Sequence, residues 1–158
     1  MNRNLAACRC ARATLAAAML AGAGLAVAAD DVVVSGAWVR ATVPGQPVAA
    51  AYLNITSAHG AALAGVRSDV ADTVQMHTMR DDGGVMRMRE LERLELPAGQ
   101  TVRLARSGTH LMLLQLKKPL RPGDMVALDF SVVDRAGALH VVRAMAPVRT
   151  AAPQEIKP

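Results

Sequence analysis

From Asp31 onward, apolar and polar residues alternate in short runs, each closed by turn-forming residues. A period of two places successive side chains on opposite faces of an extended strand. The runs predict strands over Val32–Val39, Val48–Ile55, Ala62–Arg67, Val74–Met79, Val85–Leu91, Thr101–Arg106, His110–Leu116, Met125–Val133 and Ala138–Ala144. Between them lie Pro44-Gly45-Gln46-Pro47, Asp82-Gly83-Gly84, Pro97-Ala98-Gly99, Ser107-Gly108, Pro122-Gly123-Asp124 and Arg135-Ala136-Gly137. Short strands at this spacing, with no long helical periodicity among them, read as an all-β sandwich with Greek-key connections.

The first 28 residues follow a different pattern. Met1 to Arg12 is polar and basic, Thr14 to Val27 is an apolar run, and Ala26-Val27-Ala28 offers small residues just before Asp30-Asp31. This is the layout of a secretory signal peptide, and the apolar run is too short to span a membrane comfortably. The expected organisation is a signal over 1–28, a folded domain over 29–150 and a loose polar tail over 151–158. Export places the mature domain in the periplasm, without a membrane span.

Cleavage changes the composition. The whole chain of 158 residues carries 18 basic and 13 acidic residues, for a net charge of +5. Removing Arg3, Arg9 and Arg12 leaves 15 basic against 13 acidic, or +2. Both cysteines, Cys8 and Cys10, leave with the signal, so the mature domain has no disulfide, thiolate ligand or thiol nucleophile. Only Trp38, Tyr52 and Phe130 are aromatic. A nearly neutral domain with so few rings to stack bases has little to bind nucleic acid with.

Methionines and histidines carry the candidate chemistry. Met76, Met79, Met86, Met88 and Met112 fall within one stretch together with His77 and His110. Residues two apart on a strand share a face, so His110 and Met112 point the same way, about 7 Å apart along the strand. Asp82-Gly83 is a preferred centre for a two-residue hairpin turn, because both positions tolerate positive φ. With that centre, Met79 faces Met86 and His77 directly faces Met88, all on one side of the hairpin. Only the folded sandwich could then bring His110 and Met112 to this pair.

Two imidazoles and two thioethers select a soft ion. Thioether sulfur suits Cu(I), whereas zinc prefers histidine, carboxylate and thiolate, and Cu(II) prefers tetragonal nitrogen and oxygen surroundings. Outside the cytoplasm a pair of thiols can oxidise to a disulfide, and thioethers cannot. Met76 should face away from His77 into the core, and Met125 and Met145 read as core filler. Met79 and Met86 read as an apolar rim to the site. His59 belongs to an exposed loop, and His140 reads as structural.

The spacing of His77, Met88 and His110-Leu111-Met112 resembles the signature of the periplasmic PCuAC copper chaperones. Ala37-Trp38-Val39-Arg40, Ala51-Tyr52-Leu53-Asn54, Gly84-Val85-Met86-Arg87-Met88-Arg89 and Leu116-Lys117-Lys118-Pro119-Leu120 also look like segments of that family. The resemblance covers most of Val32 to Val148. It implies a cupredoxin-like sandwich that holds Cu(I) through His77, Met88, His110 and Met112. The ion would pass towards the Cu(A) centre of cytochrome c oxidase, directly or through a thiol-containing copper chaperone. Relatives often have an acidic residue near the first histidine, where this chain has Gln75. Some also have a His- and Met-rich C-terminal extension, which this chain lacks.

Other functions fit less well. A copper-storage or resistance protein could use the same donors, although one site on a small domain favours delivery. An enzyme is not expected. A blue-copper centre needs a cysteine ligand, a copper monooxygenase of the N-terminal-histidine type needs that histidine, and no Gly-x-Ser-x-Gly marks a hydrolase.

Overall fold

A computed structural model describes residues 31–151, so the signal-peptide assignment and residues 152–158 of the tail lie outside the described residues. Ten strands follow in chain order. They are β1 (Val32–Arg40), β2 (Val48–Ser57), β3 (Ala61–Arg67), β4 (Ala71–Asp82), β5 (Val85–Leu91), β6 (Leu94–Leu96), β7 (Thr101–Leu104), β8 (His110–Leu116), β9 (Met125–Asp134) and β10 (Leu139–Arg149). The expected all-β sandwich is therefore the fold.

Strand order runs β5-β4-β8-β2-β1-β10-β9-β3-β6, with β7 also pairing β2. A further β3–β4 pairing, Val66 opposite Val74, joins the strands next to each end and closes the sandwich into a flattened barrel. Every pairing between strands is antiparallel except β1 with β10, which run parallel through Val39–Val148 and Arg40–Arg149. Closure removes most free edges and leaves β5 as a projecting edge strand.

Phe130, Ile55, Leu63, Leu111, Leu113 and Leu128 are fully buried at the centre of the barrel. On β2 the core residues are Ala49, Ala51, Leu53 and Ile55, so the alternating positions face outward. The same parity corrects the expectation for Met125 and Met145. Val126 and Leu128 on β9, and Ala146 and Val148 on β10, take the inward positions, and both methionines are exposed on the outer face. Met76 is buried, as expected.

Strand ends also differ from the sequence reading. β4 continues through Arg80-Asp81-Asp82, polar residues that carry a hairpin arm beyond the main sheet. β10 continues through Pro147, which pairs opposite Met125. The three-residue β6 was too short for a periodic signal.

Candidate metal centre

Adjacent strands β5, β4 and β8 set out the donor side chains. His77 on β4 lies directly across from His110 on β8, and Gln75 lies directly across from Met112. On the other side of β4, Met79 opposes Met88 and His77 opposes Glu90. Directly opposed residues of an antiparallel pair share a face, as do residues two apart. His77, Met88, His110 and Met112 therefore lie on one face of a three-stranded patch, with Gln75 and Met79 among them.

The hairpin register differs from the expected one. Asp82 pairs with Val85, so the turn is centred on Gly83-Gly84 rather than Asp82-Gly83. Met79 faces Met88, not Met86, and His77 is diagonal to Met88. Both glycines have positive φ, 67° and 86°, as a two-residue primed turn requires. Asp81 adds a local brace by accepting the Gly84 N–H at 2.6 Å. The displacement moves each partner by two residues and so preserves every face. Diagonal residues remain within reach of long side chains, and His77 Nδ1 lies 3.0 Å from Met88 Sδ.

The rings of His77 and His110 stand edge-on, with centroids 6.3 Å apart. His77 is partly exposed, whereas His110 is 5% exposed. His110 Nδ1 is 3.1 Å from the Gly108 carbonyl oxygen. The same carbonyl accepts the Met79 backbone N–H at 3.4 Å, so it ties the β4 arm to the turn that delivers His110. His77 Nε2 is 3.1 Å from Gln75 Oε1. Partial burial and the neighbouring His110 hold the His77 imidazole below its ordinary value of 6.5, against an opposing pull from Glu90. A ring held neutral offers a lone pair to a cation.

Trp38 and Tyr52 are the large aromatic side chains nearest the donor face. Both are buried, but they pack outside the barrel's main hydrophobic cluster. Their ring centroids are 4.7 Å apart, and Tyr52 lies 6.3 Å from the His110 ring. Tyr52 covers one side of His110, and Trp38 packs behind Tyr52. Strand parity carried a signal for this placement, since Tyr52 is out of step with Ala51, Leu53 and Ile55. The Gly108 carbonyl had no sequence signal, because any residue supplies one.

Met112 is half-buried and opens onto a cavity of about 290 Å³ also lined by Arg40, Val43, Gln46, Ala50 and Tyr52. The arginines of the hairpin, Arg80, Arg87 and Arg89, lie on the face away from His77. There Asp82 sits 3.5 Å from Arg87 and 3.7 Å from Arg89. Their parity keeps the guanidinium groups off the donor face.

His59 and His140 do not join the cluster. They line a separate cavity, each beside a carboxylate: His59 is 3.5 Å from Asp31, and His140 is 2.9 Å from Asp134. Among the described residues, no group of three or more His, Cys, Asp or Glu side chains is arranged to hold a metal ion.

Solved structures share this architecture. The copper-bound PCuAC domain of PmoF2 aligns with a TM-score of 0.61 at 22% identity, over 77% of this chain and 94% of that one. Apo-DR1885 from Deinococcus radiodurans aligns at 0.58 with 30% identity, over 96% of this chain and 97% of that one. The CuI-bound form of DR1885 aligns at 0.57 with 29% identity, over 75% and 77%. The fold is thus the cupredoxin-like sandwich of PCuAC domains. Residues 32–146 match the family described as "Putative lipoprotein LpqE-like", and the chain belongs to this PCuAC-like family. A curated relative from Leifsonia xyli subsp. xyli, described as "Putative lipoprotein Lxx21020", is 34% identical over 139 residues, covering 80% of this chain and 84% of its own.

Proposed function

We propose that this protein is an exported copper metallochaperone that binds Cu(I) through His77, Met88, His110 and Met112. The observation that carries this reading is the strand register that puts two imidazoles and two thioethers on one face of β5, β4 and β8. His77 Nδ1 and Met88 Sδ are already 3.0 Å apart. Copper-bound structures of the same fold support copper as the cargo.

Each residue has a physical task. Met88 and Met112 supply soft, uncharged donors that favour the cuprous ion. His77 and His110 supply neutral nitrogen donors. Trp38 and Tyr52 limit the approach of water and oxidant to the buried side of the site, while Met88 stays exposed on an edge strand. A partner can therefore reach the ion from the Met88 side. Thioethers add no charge to hold the ion, so an acceptor offering thiolates captures it by ligand exchange. The acceptor in this reading is the Cu(A) domain of cytochrome c oxidase or a thiol-containing chaperone, and the compartment is the periplasm.

The test mixes the Cu(I)-loaded protein with an apo Cu(A) domain and follows the metal after separation. Transfer, together with weakened Cu(I) competition in His77→Ala, His110→Ala and Met112→Ala, supports the reading. Retention of copper in the presence of a competent acceptor points instead to storage.

A further inference from the structure

We infer that Gln75 is a positioning residue that fixes the tautomer of His77, so that the two histidines present different nitrogens to copper. His77 offers Nδ1 and His110 offers Nε2. This inference rests on the copper-binding reading above and adds to it a role for a residue outside the ligand set.

A neutral imidazole carries one N–H and one lone pair, and the hydrogen bond made by one nitrogen decides what the other can do. The oxygen of Gln75 can only accept. It lies 3.1 Å from His77 Nε2, and the contact is a hydrogen bond only with the proton on Nε2. The lone pair is then on Nδ1, the nitrogen that faces Met88 Sδ at 3.0 Å.

His110 is set the opposite way. The Gly108 carbonyl can only accept and lies 3.1 Å from His110 Nδ1, which places the proton on Nδ1 and the lone pair on Nε2. Backbone geometry thus sets one ring and a side chain sets the other. Gln75 can do this because it sits two residues before His77 on the same strand face, opposite Met112. Its amide orients the ring without adding charge beside the ion. An outer partner of this kind typically changes metal affinity by about 10–100-fold when removed.

The experiment reads tautomers without metal first. Long-range ¹H–¹⁵N correlation spectra of the ¹⁵N-labelled apoprotein at about pH 8, above the imidazole range, should show His77 protonated on Nε2 and His110 on Nδ1. Gln75→Leu should shift His77 towards the Nδ1–H form, leave His110 unchanged, and weaken Cu(I) binding by about 10–100-fold in chelator competition. Gln75→Glu, whose carboxylate accepts the same hydrogen bond, should restore the Nε2–H tautomer and most of the affinity.

The Nδ1–H form of His77 in the unsubstituted apoprotein would overturn the inference, whether or not any variant folds. So would a folded Gln75→Leu protein with the original tautomer and unchanged Cu(I) affinity. Unchanged Cu(I) affinity in His77→Ala would instead remove the ligand assignment beneath it, an outcome separate from the metal-free tautomer result.

Discussion

Two methionines near the candidate site, on opposite faces of the hairpin, separate stability from metal binding. Met76 is 4% exposed and points into the barrel, where its register partners are Leu91 and Leu111. Met76→Ala removes the thioether arm and leaves a cavity, a change that costs about 2–4 kcal/mol. For a domain of this size the melting temperature should fall by about 10 °C. Met88 is 49% exposed on the edge strand. Met88→Ala therefore loses little burial, and its stability change should stay within about 0.5 kcal/mol.

The order reverses for copper. Losing a direct donor should weaken Cu(I) binding at least as much as losing an outer partner, so Met88→Ala should cost about tenfold or more. Met76→Ala, measured below its melting temperature, should retain the original affinity. Urea unfolding of the apoproteins and competition against a Cu(I) chelator provide the two readouts. Equal destabilisation by the two substitutions would refute the assignment of faces. Unchanged copper affinity in Met88→Ala would refute its role as a ligand.

Acidification should destabilise the apoprotein through His77. Its folded pKa is depressed below 6.5, mainly by burial and then by His110. Between that depressed value and 6.5 the unfolded chain binds more protons, so stability rises with pH. The contribution is present above 6.5 and lost as pH falls through the folded value; urea midpoints should show this slope, and His77→Gln should flatten it. Phe130 is fully buried, so Phe130→Ala should cost about 3–5 kcal/mol in urea unfolding. A loss below about 1 kcal/mol would contradict its place in the core. Gly84 has φ of 86° and open space where a methyl group would project, so Gly84→Ala should introduce backbone strain of about 1–2 kcal/mol without a clash. Faster amide exchange confined to the β4–β5 arm, with weaker Cu(I) binding, is the expected result; unchanged exchange would count against a strained turn.

Particular residues show how much was legible in the chain. The alternation in Ala49 to Ile55 exposed both the strand and its inward face, and the same rule should have placed Met125 and Met145 outside. Their hydrophobicity suggested core, but parity with Val126, Leu128, Ala146 and Val148 outweighed it. The turn in Asp82-Gly83-Gly84 was visible while its centre was not, because Asp-Gly and Gly-Gly both accommodate positive φ. The face assignment survived because the two registers differ by an even number of residues.

The sequence by itself determined that strands would form, which side chains each strand would turn together, and which soft donors were available. These are local properties, governed by a two-residue period and by the conformational freedom of turn glycines. Only the tertiary structure decided that β8 pairs with β4, bringing His110 opposite His77, and that Tyr52 shields the buried ring. Such meetings depend on strand order, which arises from burial of the whole apolar set in one closed barrel rather than from any short segment.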